Sequence, residues 1–342
     1  GGCQYSWCKT SVVQSGTETG IGCWLDLLTM TAPERYSYLG PEGTFTWEAL
    51  RQVSAASDGE WVSVSNVSEA LDDVVSGAST YAMIAVENSV EGGVSATQDA
   101  LAELPDLRIV GEYLVPVRFA VVAPTGVSLS DVTVLAAHPV AYAQCRKWLE
   151  QNIPHHSHSS SLSNVRAAED ALSDPDIHAA LAPRGISERL DVEVLADDIG
   201  DNPSAETRFV LVRRGGAVPE RTGADKTSII AELPDDAPGR LLEMLEQFAT
   251  RGVNMSLLES RPIGDAMGRY RFVIDLDGHV HDERVADALM GLRRFSPKVI
   301  FLGSYPRANG HVPEVSPRYT DDAFIEAREW IKDVAEGGSS QA

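Results

Sequence analysis

The segment YAMIAVENSVEGGVSATQDAL, residues 81–101, passes from an apolar run through three polar side chains to a helical pattern. Its first part, Tyr81–Val86, is predicted to form a buried strand, and Ser95–Leu104 is predicted to form a helix. Between them, Glu87, Asn88 and Ser89 bring a carboxylate, an amide and a hydroxyl to the end of the strand. Polar groups at strand ends often hold small ligands in α/β proteins, although these three could equally cap the following segment.

Outside this segment, short apolar runs alternate with helical patterns from Tyr36 to Val212. This alternation is typical of an α/β protein with a mostly parallel sheet that is covered on both faces. Within the longest apolar run, Pro116 must either bend the strand or lie at an edge. The predicted strands are Tyr36–Leu39, Tyr81–Val86, Ile109–Val122, Val132–Ala137, Ile177–Ala182, Val192–Ala196 and Arg208–Val212.

A second unit follows a linker, Arg213–Pro219, that is rich in glycine and charge. Its periodicity predicts the order β-α-β-β-α-β over about 80 residues, which is a ferredoxin-like sandwich. The predicted strands are Thr227–Leu233, Val253–Leu257, Tyr270–Leu276 and Val299–Leu302, with helices starting at Asp235 and around Val285–Leu292. One more helix, Phe324–Val334, is predicted in the polar tail.

The composition limits the kinds of partner that the chain can have. It has 342 residues, 43 % of them hydrophobic, and a net charge of −22, so it is predicted to be globular and to repel nucleic acids and anionic membranes. Apolar runs are far shorter than the roughly 18 residues of a membrane span. The cysteines show neither disulfide nor zinc spacing, which favours a cytoplasmic location with reduced thiols. They are Cys3, Cys8, Cys23 and Cys145.

Three other stretches are candidate sites. The turn Gly40–Gly43 leads into a helix that Thr44 or Thr46 can cap, and its free N–H groups favour an anion, although an ordinary turn fits as well. Thr207-Arg208-Phe209 offers a hydroxyl donor, a fork for a carboxylate and an apolar wall. The third stretch, Asn254–Pro262, is either a ligand or dimer edge or a charged edge strand that resists aggregation.

Two histidine-containing stretches receive different interpretations. His138-Pro139 ends a strand and could face a cleft or serve only a structural role. The run Pro154–Ser161 has no cysteine or carboxylate at ligand spacing, so no metal site is predicted. Residues alone therefore predict an α/β cleft for a small anion, joined to a small regulatory module.

Taken together, six segments resemble the prephenate dehydratase family over residues 36–308. They are GPEGTFTWEAL (40–50), AVENSVEGGVSATQDAL (85–101), AAHPVAYAQCRKWL (136–149), DNPSAETRFVLV (201–212), ESRP (259–262) and LGSYPRA (302–308). The resemblance implies a two-lobed catalytic domain of the periplasmic-binding-protein-like type II fold, followed by a ferredoxin-like ACT domain. It divides the chain into a disordered extension (1–34), a dehydratase domain (35–213), a linker (214–225), an ACT domain (226–305) and a tail (306–342). Lobe one would comprise about 35–114 and 194–213, and lobe two about 115–193.

The resemblance also implies an activity: prephenate loses CO2 and water to give phenylpyruvate in L-phenylalanine biosynthesis. Aromatisation supplies the driving force, so no cofactor is expected. Thr207 would donate the proton, Arg208 or backbone groups near Thr44 would bind the side-chain carboxylate, and Phe209 would form an apolar wall. Glu87, Asn88 and Ser89 would orient the ring hydroxyl. The full implied substrate-binding set is Gly43, Thr44, Phe45, Thr46, Glu87, Asn88, Ser89 and His138.

In the ACT domain the resemblance implies inhibition by L-phenylalanine, bound at a dimer interface. The chain is accordingly expected to be a homodimer or homotetramer. The implied effector-binding residues are Pro238, Gly239, Arg240, Leu241, Asn254, Met255, Ser256, Leu257, Leu258, Glu259, Ser260, Arg261 and Pro262.

The chain departs from the family pattern at two places. Val140 stands where the family often has glutamine, which removes a polar contact, and Arg240 replaces an alanine beside the expected effector site. Three alternative functions stay open at this point: a prephenate decarboxylase that does not aromatise its product, an arogenate dehydratase, and a non-catalytic amino-acid sensor. The first typically lacks the Thr-Arg-Phe motif, which is present here.

Overall fold

A computed structural model of the chain describes residues 33–90, 92–264 and 268–338. All of these lie in one compact unit, whereas nearly all of the predicted N-terminal extension lies outside the described residues. The strands are β1 (Arg35–Leu39), β2 (Glu60–Val64), β3 (Tyr81–Asn88), β4 (Gly92–Gly93), β5 (Leu107–Pro116), β6 (Phe119–Pro124), β7 (Val134–Ala137), β8 (Ser157–Ser160), β9 (Ala179–Pro183), β10 (Val192–Ala196), β11 (Glu206–Arg214), β12 (Asp225–Glu232), β13 (Met255–Pro262), β14 (Tyr270–Asp277) and β15 (Val299–Pro306).

The helices follow the predicted periodicities. They are α1 (Phe45–Arg51), α2 (Val67–Ser76), α3 (Ser95–Glu103), α4 (Pro139–Gln144), α5 (Arg146–Asn152), α6 (Asn164–Ser173), α7 (Arg240–Ala249), α8 (Glu283–Phe295) and α9 (Asp321–Ala335). Arg184–Glu188 forms a short 3-10 turn that starts directly after β9. In the part of the chain that the structure describes, no helix is long and apolar enough to cross a membrane.

Three sheets organise these elements. The first sheet has the order β2-β1-β3-β11-β5 with β4 on β3, the second β10-β6-β9-β7-β8, and the third β13-β14-β12-β15. Parallel pairs such as β1/β2 and β7/β8 occur beside antiparallel ones, so the first two sheets are mixed. The third sheet is antiparallel, and with α7 and α8 it has the predicted β-α-β-β-α-β order.

Two predicted boundaries are wrong. Ile109–Val122 is not one strand, because β5 ends at Pro116, which lacks the N–H that a further ladder bond would need, and β6 belongs to the second sheet. The predicted return to the first lobe at residue 194 is also too early. Strand β10, Val192–Ala196, pairs with β6 in the second sheet, and the chain rejoins the first sheet only at β11.

The two faces of the first sheet pack against different parts of the molecule. One face, with Phe209 and Leu211, packs under α1. On the opposite face, Val210 and Val212 pack against Ile230 and Val273 of the third sheet. Successive side chains of β11 therefore pack alternately under α1 and against the third sheet, because neighbouring side chains of a strand point to opposite faces.

Candidate active site

A cleft of about 590 Å³ lies between the first and second sheets. It forms where parallel strands end: β1 and β2 on one side, β7 and β8 on the other, which is the usual position of ligand sites in open α/β sheets. The described residues that line it are Leu39, Gly40, Pro41, Thr44, Phe45, Thr46, Ser65, Ala85, His138, Leu162, Ser163, Asn164, Val165, Arg166, Glu169, Pro183, Thr207 and Phe209.

Thr207 lies in this cleft and its hydroxyl is held by one defined contact. Asn88 lies opposite it in the β3/β11 ladder, and the Asn88 Nδ2 donates to Thr207 Oγ1 over 2.9 Å. The amide orientation follows from its other end, because Asn88 Oδ1 accepts the Val90 N–H over 2.9 Å. Thr207 Oγ1 is therefore an acceptor towards Asn88, which leaves its own proton to point elsewhere.

Phe209 forms part of the apolar wall that was predicted for it. It lines the cleft beside Ala85 and is itself buried in the cluster under α1. Phe45, on the first turn of α1, lies edge-on to Phe119 of the second sheet with ring centroids 5.7 Å apart. Two aromatic rings, Phe45 and Phe209, thus give the cleft an apolar side, and Phe119 packs behind Phe45.

Arg208 does not line the cleft, which corrects the expectation that it binds a substrate carboxylate. Because it lies between Thr207 and Phe209 on a strand, its side chain points to the opposite face. Its Nε donates to Glu87 Oε2 over 2.9 Å, and its Nη2 lies 2.7 Å from Asp275 Oδ2 of the third sheet. Burial opposes the charge, but Asp275 leads the carboxylates that raise the Arg208 pKa above its ordinary value, so the guanidinium stays charged.

Glu87, Asn88 and Ser89 likewise do not line the cleft themselves, contrary to expectation. The Glu87 carboxylate turns to Arg208, since Glu87 points to the same face of the sheet as that side chain. Ser89 Oγ accepts the backbone N–H of Glu206 over 2.9 Å, and the Ser89 N–H donates to the Glu206 carbonyl. Ser89 therefore fastens the start of β11 to the end of β3, and of the three polar residues only Asn88 contacts a group in the cleft.

The loop after β1 matches the predicted strand-turn-helix geometry. Thr44 Oγ1 caps α1 by accepting the Trp47 N–H at 3.4 Å and donates to the Leu39 carbonyl at 3.0 Å. Thr44 and Thr46 line the cleft, but Gly43 does not. Its φ of +86° and the close approach of the Arg189 side chain explain the glycine, because a Cβ would meet that guanidinium at 2.5 Å.

His138 lies at the cleft as predicted, at the end of β7. It is also the N-cap of α4, where its Nδ1 accepts the Val140 N–H at 3.3 Å. The orientation of the His138 ring in the site therefore depends on the helix that begins at Pro139. The neighbouring histidine run forms part of β8, and the described residues contain no cluster of three metal-ligating side chains.

Sequence reasoning missed the part of the site that the start of α6 provides. Ser163 caps this helix by accepting the Arg166 N–H at 3.0 Å, and the helix N-terminus faces the cleft with its positive dipole end. Arg166 is exposed and pairs with Asp170 at 2.8 Å and Glu169 at 3.7 Å. The available signal was a serine cap that directly follows a strand, the same pattern that identified Thr44.

Cys145 can be excluded as a nucleophile on physical grounds. It is buried at the junction of α4 and α5, and desolvation, with Asp201 nearby, raises its pKa to about 12. The thiol is therefore protonated at neutral pH and has little nucleophilic character.

The predicted effector residues lie on one edge of the third sheet and at the start of α7. Glu259 accepts the Gly93 N–H at 2.8 Å and also contacts Gln98, while Arg261 pairs with Asp99 at 2.6 Å, so alternate residues of β13 contact the first sheet's elements. Three apolar side chains of this region are exposed: Leu258 on β13, and Leu241 and Leu242 at the start of α7.

Arg240 directly precedes Leu241, and its side chain folds back onto the start of α7. Its Nε is 2.7 Å from Asp235 Oδ1 and its Nη1 is 2.8 Å from Glu243 Oε2. The hydrogen bonds that Arg240 donates to these two carboxylates, Asp235 first, raise the Arg240 pKa above its ordinary value. The charge that departs from the family pattern is thus compensated by Glu243 of α7 and by Asp235, which precedes the helix.

Comparison with known proteins gives a consistent result. A family model described as prephenate dehydratase matches residues 36–217. The prephenate dehydratase of Amycolatopsis methanolica is 42% identical over 304 residues, which are 89% of this chain and 98% of that protein. A crystal structure of prephenate dehydratase from Arthrobacter aurescens in complex with L-Phe has 49% identity and a TM-score of 0.84, over 88% of this chain and 99% of that one. A structure described as a novel type of quorum-quenching acylase is more distant, with 28% identity and a TM-score of 0.70, over 80% of this chain and 98% of that one.

Proposed function

The chain belongs to the prephenate dehydratase family, and from that premise we propose that its reaction takes place in the cleft beside Thr207. The enzyme converts prephenate to phenylpyruvate, CO2 and water. The observation that carries the assignment of the site is the Asn88–Thr207 contact, because it presents a hydroxyl with a defined orientation inside the cleft.

The reaction needs one proton at one oxygen. The bond between the ring and its carboxylate breaks, its electron pair becomes part of the aromatic ring, and the ring C–O bond breaks with its pair going to oxygen. That oxygen leaves as water once it has gained a proton. In this proposal Thr207 stabilises that oxygen, and support comes from Asn88, which donates to Thr207 Oγ1 and thereby directs the Thr207 proton towards another acceptor. Because a threonine hydroxyl is a weak acid, a strengthening hydrogen bond to the departing oxygen contributes more than complete proton transfer.

The two carboxylates of prephenate need different surroundings. The side-chain carboxylate is retained, so it suits the start of α6, where the helix dipole and the exposed Arg166 favour an anion. The ring carboxylate departs as neutral CO2, and strong ground-state pairing would slow its loss. The apolar wall of Phe209 and Ala85 provides such a weakly binding environment.

The products from prephenate test this function directly. The purified chain should convert prephenate into phenylpyruvate with one CO2 released per molecule, followed by product chromatography and CO2 detection. Loss of prephenate without an aromatic product would indicate the decarboxylase instead. Intact prephenate would leave a sensor, and faster conversion of arogenate to phenylalanine would reassign the preferred substrate.

The third sheet with α7 and α8 is proposed to be an ACT domain that binds L-phenylalanine. Support comes from its β-α-β-β-α-β order and from the relative that was crystallised with L-Phe. Leu241, Leu242 and Leu258 are exposed apolar side chains in or beside the predicted effector set, and a second copy of the chain would cover them in a homodimer or homotetramer. We accordingly propose that the first two sheets are the two lobes of a catalytic domain with the periplasmic-binding-protein-like fold. The third sheet, with α7 and α8, is the ACT domain in this proposal.

L-phenylalanine should bind and inhibit despite Arg240. Calorimetry at roughly millimolar phenylalanine should detect binding, and Arg240→Ala should leave the Kd within about threefold, because Asp235 and Glu243 already hold the guanidinium at the helix start. The control variant is Arg146→Ala. Arg146 is an exposed arginine on α5, in the layer of the second sheet rather than the third. The absence of heat with the unmodified chain, or binding that appears only after Arg240 is removed, would contradict this account.

A further inference from the structure

A buried charge cluster connects the strand that carries Thr207 with the third sheet. Arg208 is only 7% exposed and Asp275 only 2%, and they form an ion pair across the two layers at 2.7 Å. Glu87 supplies the second carboxylate at 2.9 Å from within the first sheet. Removing such ions from water is costly before their attraction is counted, so the cluster is not explained by stability alone.

Residues of the third sheet also hold the other oxygen of the Asp275 carboxylate, the one that does not face Arg208. Asp275 Oδ1 accepts from Ser228 Oγ at 2.5 Å, and that hydroxyl lies 2.6 Å from the Tyr305 hydroxyl. The three residues come from β14, β12 and β15, so Asp275 is held through the neighbouring strand β12, whose Ser228 is in turn in contact with β15. Its carboxylate is therefore an anchored partner for Arg208.

The anchored residue lies where the backbone ladder is irregular. Arg208 pairs with Glu87, but the next residue, Phe209, pairs with Ala85, so Val86 is an extra residue in β3. A bulge of this kind locally disrupts the ladder and is common next to active sites, where it redirects a side chain. Thr207 is the residue directly before this irregularity, and Arg208 lies at it.

We propose that Asp275, together with Glu87, is a positioning residue for the dehydration: it holds Arg208 so that Thr207 points into the cleft and stays in register with Asn88. The inference rests on the proposed function, because it uses the role of Thr207. A displacement of a reacting group by about 1 Å can cost up to a hundredfold in rate, so even a small shift of β11 has a measurable consequence.

The test compares two buried carboxylates of the same strand in the absence of phenylalanine. Asp275→Asn should lower kcat by about tenfold while KM changes less than about threefold, because the substrate still meets the same cleft. Asp277→Asn is the matched control: Asp277 is also buried on β14 and pairs with an arginine, Arg307 at 3.2 Å, but does not contact Arg208. Its kcat should stay within about twofold of the unmodified enzyme.

Three results would overturn the proposal: an unchanged kcat for Asp275→Asn, an equal fall for both variants, or a change confined to KM. An unmodified enzyme without activity towards prephenate would instead refute the proposed function, so the two failures are distinguishable. If thermal unfolding shows that Asp275→Asn does not fold, Glu87→Gln removes the other anchor at a half-exposed position. A tenfold loss of kcat with KM retained then supports the proposal, and unchanged kcat overturns it.

Discussion

Replacing Thr207 with alanine should lower kcat by about 10²–10⁴-fold, the range expected when a group that assists proton transfer is removed. The physical reason is that the hydroxyl in the cleft no longer stabilises the departing ring oxygen. KM should change much less, since the start of α6 and His138 remain in place. Steady-state rates of phenylpyruvate formation give both constants.

Thr207→Ser provides the matched control for this prediction. It keeps the hydroxyl and the contact with Asn88 Nδ2 while it removes only a methyl group, so kcat should remain within about tenfold of the unmodified enzyme. Unfolding of both variants should be cooperative and near that of the parent. Equal losses in the serine and alanine variants would show that the hydroxyl is not the group that matters.

Replacing Arg208 with methionine should produce the largest loss of stability, about 3–5 kcal/mol in the free energy of unfolding. Methionine leaves the carboxylate of Asp275 buried without its cation, and Glu87 loses its partner as well. Denaturant unfolding measures the loss. The loss arises because one partner of a buried ion pair is removed and the other stays buried. Such a loss is large even where the intact pair adds little to the free energy of unfolding.

The comparison variant is Arg166→Met, which removes an arginine from an exposed pair. Solvent screens that pair, so its loss should cost less than about 1 kcal/mol. The double variant Arg208→Met/Asp275→Asn should recover part of the stability lost in Arg208→Met, because no uncompensated charge then remains in the third sheet. Equal stability of the Arg208 and Arg166 variants would mean that the buried cluster contributes nothing distinctive.

Much of this architecture could be predicted from local patterns. The apolar run Tyr81–Val86 and the helix that begins at Ser95 appear as β3 and α3, because burial on both sides and helical spacing leave clear signals. Strand order is another matter. The insertion of β11 between β3 and β5 joins residues 90 or more positions apart, and no local signal records such pairing.

The site shows the same division between local and long-range information. Thr207, Phe209 and Thr44 lie in the cleft as predicted, but Arg208 and Glu87 turn to the other face. Side chains alternate along a strand, so Arg208 must point away from the face that carries Thr207 and Phe209. The prediction instead assigned Arg208 to a substrate carboxylate because arginine commonly binds carboxylates. Its actual partner, Asp275, could not be inferred, since the contact depends on how the third sheet packs on the first.

The most direct test of the account is a double-mutant cycle on kcat with Asn88→Ala, Thr207→Ala and the combination. If Asn88 acts by directing the Thr207 hydroxyl, its single variant should lose about tenfold, and the double variant should be no slower than Thr207→Ala. Losses that multiply in the double variant would contradict the account, because Asn88 would then act independently of Thr207.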